Sequence, residues 1–158
     1  MLLNIFCHLF FVIIIITAAI IDIKERRIPN NLILCTLFPL FLKIVLFLSE
    51  YQNKKTNLKE FLIDIFGGVL IALIFIGVPY FLNRSMGGGD LKLVTVFSAY
   101  LGLKNMLTVL YIAFATCAIT GICIFIFSKL KKRAIPKTLP FVPFLLIGIL
   151  CSYVTQIY

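Results

Sequence analysis

Two acidic residues stand in local sequence that imposes geometry. Asp22 opens the segment Asp22-Ile23-Lys24-Glu25-Arg26-Arg27-Ile28-Pro29-Asn30, and Asp90 closes the run Met86-Gly87-Gly88-Gly89-Asp90, which continues as Leu91-Lys92-Leu93. Two carboxylates at one site are the minimum apparatus for aspartyl proteolysis. One takes a proton from water while the other, protonated, polarises the scissile carbonyl. Pro29 suits the first turn of a helix, where its missing N–H has no partner to lose. Three successive glycines carry a conformational cost, so their presence points to a flexible hinge or to close approach of another backbone. The blander alternative is a loose loop with Asp90 as a helix N-cap.

The elements that must position these acids are apolar. Of the 158 residues 62% are hydrophobic and only 13% charged, and the mean hydropathy is +1.13, far outside the range of soluble domains. A helix needs about 20 apolar residues to cross a hydrocarbon layer of roughly 30 Å. Six apolar runs are expected to form an all-α integral membrane protein, a single polytopic domain over residues 1–158: Leu2 to Ile21, Leu32 to Ser49, Phe61 to Leu82, Leu91 to Leu103, Met106 to Phe127 and Pro140 to Ile157. The fourth reaches only about 20 Å at a rise of about 1.5 Å per residue, so it is little tilted, lies where the bilayer thins, or is re-entrant. The first has no basic residue before it and no small-residue cleavage site after it, and is read as a retained helix rather than a signal peptide.

Charge placement sets the expected orientation. Ten of the fifteen Lys and Arg residues fall in alternate connections: Lys24, Arg26 and Arg27; Arg84 and Lys92; and Lys129, Lys131, Lys132, Arg133 and Lys137. By the positive-inside rule these connections are cytosolic and both termini lie outside. Lys54, Lys55 and Lys59, offset by Glu50 and Glu60, weaken that assignment without reversing it, and Lys43 is expected to snorkel from within the second run. The net charge of +9 is spread over connections with no soluble module to present it, which argues against nucleic acid. On this topology the end of the first run and the start of the fourth share the cytosolic face, so Asp22 and Asp90 can meet. The helix macrodipole favours the ionised form of Asp90 at an N-terminus and the neutral form of Asp22 at a C-terminus, which makes Asp90 the expected base and Asp22 the acid.

At these segments the sequence resembles the type IV prepilin peptidases, membrane aspartyl peptidases with a GxGD motif. The family's Asp, five residues, then Ile-Pro-Asn is met by Asp22 through Asn30, and its GxGD followed by lysine and an apolar helix by Gly87-Gly88-Gly89-Asp90-Leu91-Lys92-Leu93. Pro140-Phe141-Val142-Pro143-Phe144 resembles the Pro-Phe-x-Pro-Phe stretch that opens the family's last helix. The resemblance implies an aspartic-type endopeptidase of the cell membrane that removes the leader of pilin-like precursors at the cytosolic face, in type IV pilus assembly or protein secretion. It implies Asp22 and Asp90 as the catalytic pair, with Gly87, Gly88, Gly89, Pro29, Asn30 and Lys92 binding substrate or shaping the loops, and no metal or organic cofactor. Nothing matches the N-terminal segment with paired CxxC motifs that many bacterial members carry, so peptidase activity without methyltransferase activity is expected.

Other polar residues have plainer readings. Asp64 is expected at the opposite face, in a structural role beside a basic residue. His8, the only histidine, has no second ligand for a metal. Cys7, Cys35, Cys117, Cys123 and Cys151 form no CxxC pair and read as small packing residues. The loop from Lys129 to Lys137 is a topology signal that also attracts anionic lipid headgroups at about 1 kcal/mol per basic residue. Two other function classes compete. In a small proton- or cation-coupled transporter the acids would titrate during transport, although no inverted repeat is visible; in a non-catalytic assembly subunit the glycines would serve packing alone.

Overall fold

The computed structural model describes residues 2–52, 57–83, 87–131 and 139–157, and all regular structure among them is helical. Helix α1 spans Leu2–Glu25, α2 Asn30–Gln52, α3 Leu58–Ala72, α4 Val78–Asn83, α5 Gly88–Leu101, α6 Leu103–Leu130 and α7 Val142–Ile157. Lys54, Lys55, Arg84, Met86, Lys132, Arg133 and Lys137 lie outside the described residues.

Four helical stretches are long and apolar enough to cross a membrane: Phe6–Glu25, Asn30–Tyr51, Leu58–Leu82 and Leu103–Leu130. This is a multi-pass membrane protein. The other two expected spans form helices, but α5 has only 14 residues and the apolar part of α7, Val142–Val154, is also short. The reason α5 can be short lies in what surrounds it. Leu93, Val94, Phe97, Ser98, Ala99, Tyr100 and Leu101 are all buried, so half of the helix faces protein rather than lipid. The 28-residue α6 buries only Met106, Val109, Leu110 and Ala113 and presents Tyr111, Ile119, Ile122, Phe125 and Phe127 outward. An apolar outer surface is what a lipid solvent requires.

Around α5 the core interlocks through Phe11 and Ile15 of α1, Ala72 of α3, Met106 and Val109 of α6, and Leu145 and Ile149 of α7. Phe11 stacks on Tyr100 with ring centroids 4.3 Å apart and meets Phe97 edge-on at 4.8 Å. Helices α6 and α7 run antiparallel, since Val109 lies against Gly148 and Phe114 against Phe141.

Local chemistry sets the breaks. Pro29 stands just before α2, and its carbonyl accepts the N–H groups of Leu32 and Ile33 at 3.1 and 3.4 Å. Between α3 and α4 the chain stays helical through a π turn at Leu73–Gly77, where the Val78 N–H reaches back to the Leu73 carbonyl. Pro79 follows immediately, and a residue without an N–H is accommodated where the regular bonding pattern is already interrupted. Gly102, with φ +83°, separates α5 from α6, a backbone conformation that side chains other than glycine's rarely adopt.

Five cysteines are free. Cys7 packs inside as expected, whereas Cys35, Cys123 and Cys151 are exposed on helix faces, so packing against the core accounts for only part of the set.

Candidate active site

Helix α1 continues four residues beyond the expected end of the first span, which carries Asp22 into its last turn. Asp22 is 5% exposed. A carboxylate so placed loses water and sits near the negative end of its own helix. The deficit is offset from another element: the Val142 backbone N–H at the start of α7 donates to Asp22 Oδ2 at 3.0 Å, and the Phe141 backbone N–H also bonds the carboxyl. The first N–H groups of a helix have no partner within it, and Pro143, which has none to offer, leaves Val142 as the donor aimed at the acid. A positive helix end thereby faces Asp22. Arg26 adds its charge nearby. It ends α1 with φ 51°, the left-handed conformation usual at a helix C-terminus, while its N–H bonds the Asp22 carbonyl at 3.0 Å.

Asp90 is not the N-cap of α5; that place belongs to Gly87, in extended conformation with φ −69° and ψ 139°. Asp90 is the third helical residue, from which its carboxyl reaches back to the Gly87 N–H, the reciprocal arm of a capping box. Its own N–H bonds the Gly87 carbonyl at 3.1 Å.

The two motifs touch through backbone. A Cβ placed on Gly89 would lie 3.1 Å from Ile28 Cβ and 3.4 Å from the Ile28 carbonyl oxygen. Close approach of another chain segment is therefore what this glycine permits, and that segment is the one between Asp22 and Pro29. On the other side, Gly88 lies against the hydroxyl of Tyr80 in α4. Asn30 opens α2, and Lys92 is exposed on α5, away from the carboxyls.

Electrostatics joins the acids. Burial, then the negative charge of Asp22, push the Asp90 carboxyl up to about 6, against the lowering effect of the Gly87 N–H. Two carboxylates in one site cannot both ionise cheaply. The proton therefore belongs to the coupled pair, and the expectation from helix ends alone does not assign it. That expectation counted the C-terminus of α1 and the N-terminus of α5 but not the N-terminus of α7, which arrives 120 positions later in the chain. Val142 and Phe141 are thus the site residues that sequence reasoning missed. Their signal was the Pro-Phe-Val-Pro-Phe stretch, noticed only for its resemblance.

The remaining polar residues gather at the other end of α5. His8 Nδ1 lies 3.0 Å from the Tyr100 hydroxyl and 3.1 Å from that of Tyr153. Asp64 Oδ1 accepts the Leu103 backbone N–H at 2.8 Å. Lys43 does not snorkel to the surface but donates to the Tyr100 carbonyl at 2.6 Å. A cavity of about 360 Å³ opens beside these groups, remote from Asp22 and Asp90.

Comparison with known proteins agrees with the motifs. A model described as the type IV leader peptidase family matches residues 9–123. A prepilin leader peptidase/N-methyltransferase from Legionella pneumophila is 30% identical over 137 residues, covering 85% of this chain and 45% of its own. A protein of the same description from Bacillus subtilis (strain 168) is 26% identical over 152 residues, covering 96% of this chain and 56% of its own. The chain spans about half the length of the curated relatives it matches. No solved structure matches it.

Proposed function

Because the chain belongs to the type IV leader peptidase family, we propose that it is an aspartyl endopeptidase that removes the leader of pilin-like precursors, with Asp22 and Asp90 as its catalytic pair. The observation that carries this reading is the meeting of the two motifs, in which Asp90 feels the charge of Asp22 while Gly89 packs on Ile28.

In the form that turns over, populated below about pH 6, Asp90 holds the proton and Asp22, supported by the Val142 N–H, is ionised. Asp22 takes a proton from water, whose oxygen bonds to the scissile carbonyl carbon as Asp90 protonates the carbonyl oxygen. The tetrahedral adduct then collapses. Its C–N bond breaks, the leaving nitrogen takes the proton from Asp22, and Asp90 recovers one from the adduct's hydroxyl. The pair ends as it began, with a single proton shared between coupled groups.

The end of the bundle bearing the two acids faces the cytosol and both termini lie outside, so that the cleavage point meets the pair where a precursor's apolar helix leaves the bilayer. The basic residues between Lys129 and Lys137 would attract anionic headgroups by their charge alone.

Co-expression with a pilin-like precursor tests the assignment through leader removal and N-terminal sequencing. Asp22→Asn and Asp90→Asn, matched for membrane abundance, should each lower cleavage by at least about 100-fold. Undiminished cleavage in either variant would remove the pair from the mechanism, and with it the aspartyl reading.

A further inference from the structure

The break at Gly102 leaves the last carbonyls of α5 and the first N–H groups of α6 without helical partners. Three side chains supply them. Lys43 of α2 donates to the Tyr100 carbonyl at 2.6 Å, Asn105 donates to the Leu101 carbonyl at 3.1 Å, and Asp64 of α3 accepts the Leu103 N–H at 2.8 Å. The two charges also lie within electrostatic reach of each other. The glycine contacts here are tight, although a cavity opens beside Lys43 and Asp64: any Cβ on Gly102 would fall inside the Asp64 carboxylate, and a Cβ on Gly68, one turn along α3, would sit 2.5 Å from the Ser98 carbonyl oxygen. Such a junction holds one register and resists sliding.

Helix α5 runs from this junction to Asp90. The ten steps from Asp90 to Tyr100 measure about 15 Å along a helix, and a helix with its ladder intact does not shorten. Axial position at the junction is therefore axial position at the carboxyl. We propose that Lys43 and Asp64 are positioning residues for the reaction: from two neighbouring helices they clasp the α5–α6 break and thereby set the depth at which Asp90 faces Asp22. The inference rests on the catalytic-pair reading above.

The groups around Asp90 make its titration a gauge of that depth. Asp22 on α1 is the opposing charge, Arg26 follows it, Tyr80 of α4 stands at Gly88, the Gly87 N–H bonds the carboxyl, and Lys92 on α5 points away. Drawing α5 back weakens the repulsion between the carboxyls and lets Asp90 ionise at lower pH.

The test uses the full chain in lipid nanodiscs with a pilin-like precursor, comparing Lys43→Met and Asp64→Ala with the conservative Lys43→Arg and Asp64→Asn. Arginine still donates to the Tyr100 carbonyl, and asparagine still accepts the Leu103 N–H. For Met and Ala, kcat should fall about tenfold with KM within about twofold, and the high-pH limb of the profile should move down by about half a pH unit. Arg and Asn should recover most of both. A loss of folded protein would instead scale the whole profile without moving its midpoint, and that result overturns the inference, as do unchanged kcat and midpoint. If Lys43→Met does not accumulate, Lys43→Gln decides: its shorter neutral donor should give a smaller fall with the same downward shift, and a wild-type profile refutes the clasp. Cleavage surviving in Asp22→Asn or Asp90→Asn would overturn both readings together, whereas inactive Asp variants beside wild-type clasp variants would overturn this one alone.

Discussion

The two ends of α5 handle charge in opposite ways. At Gly102 an ammonium meets a carbonyl and a carboxylate meets an N–H, so each charge completes a helix end and the two charges attract. At Gly87 to Asp90 a carboxyl has one N–H from Gly87 and a second carboxyl as its neighbour. The first arrangement gives partners to backbone groups that the break would otherwise leave unpaired. The second retains repulsion between like charges that the N–H groups of Gly87, Val142 and Phe141 relieve only in part, the kind of perturbed pair from which a functional site is proposed.

The sharpest way to break this contrast is to neutralise one charge at each end. Asp90→Asn should abolish leader removal yet leave the melting temperature unchanged or raised, because it removes a repulsion. Asp64→Ala should lower the melting temperature by a few degrees, since it leaves the half-buried Leu103 N–H without its partner at a cost of about 1 kcal/mol. If Asp90→Asn proves the more destabilising of the two, the distinction between a structural and a strained end collapses.

Next in size is Gly102→Ala, which combines a φ of +83° with a Cβ inside the Asp64 carboxylate. A loss of roughly 3 kcal/mol is expected, read as a fall in folded yield or melting temperature. Gly89→Ala at the other end meets Ile28 at 3.1 Å, a contact a side chain can relieve by a small shift. It should therefore reduce cleavage several-fold while costing about 1 kcal/mol or less.

Dependence on pH sharpens the comparison further. The folded Asp90 midpoint of about 6 lies above its ordinary 3.8, so folding favours the protonated form. Its contribution is fully present below pH 3.8 and is lost as pH rises through about 6. The melting temperature should decline over that window, with a smaller slope in Asp90→Asn, and cleavage should weaken above pH 6 as Asp90 gives up its proton. The smallest effect belongs to Lys92→Ala, which touches neither end and should cleave within about twofold of the unaltered protein.

Much of this was readable from residue order. Helices follow the six apolar runs, Gly89 packs on Ile28 of the first motif, and the charge of Asp22 is felt at Asp90. What stayed hidden has a common cause. Hydropathy counts apolar residues without saying whether protein or lipid covers them, so α5 was read as a weak span rather than a buried strut. Side-chain chemistry also says little about which distant backbone groups will arrive: the Val142 N–H at Asp22, the Leu103 N–H at Asp64 and the Tyr100 carbonyl at Lys43 are supplied by helix ends. Asp64 was expected beside a basic residue, and Lys43 is within its reach, but the hydrogen bond that holds it is to backbone.

The π turn at Leu73–Gly77 sets the rotational phase of the rod that runs from α3 into α4. At about 100° per residue, the sixteen steps from Asp64 to Tyr80 would carry Tyr80 nearly to the opposite side of an unbroken helix. The extra residue absorbed by the wide turn returns it by about 100°, which lets one rod address Gly102 with its first half and Gly88 with its second. Regularising that turn into α-helix with no residue removed would keep every side chain and the apolar span, yet carry Tyr80 about 100° away from Gly88. The wide turn, more than the composition of the segment, is what lets one rod meet both ends of α5.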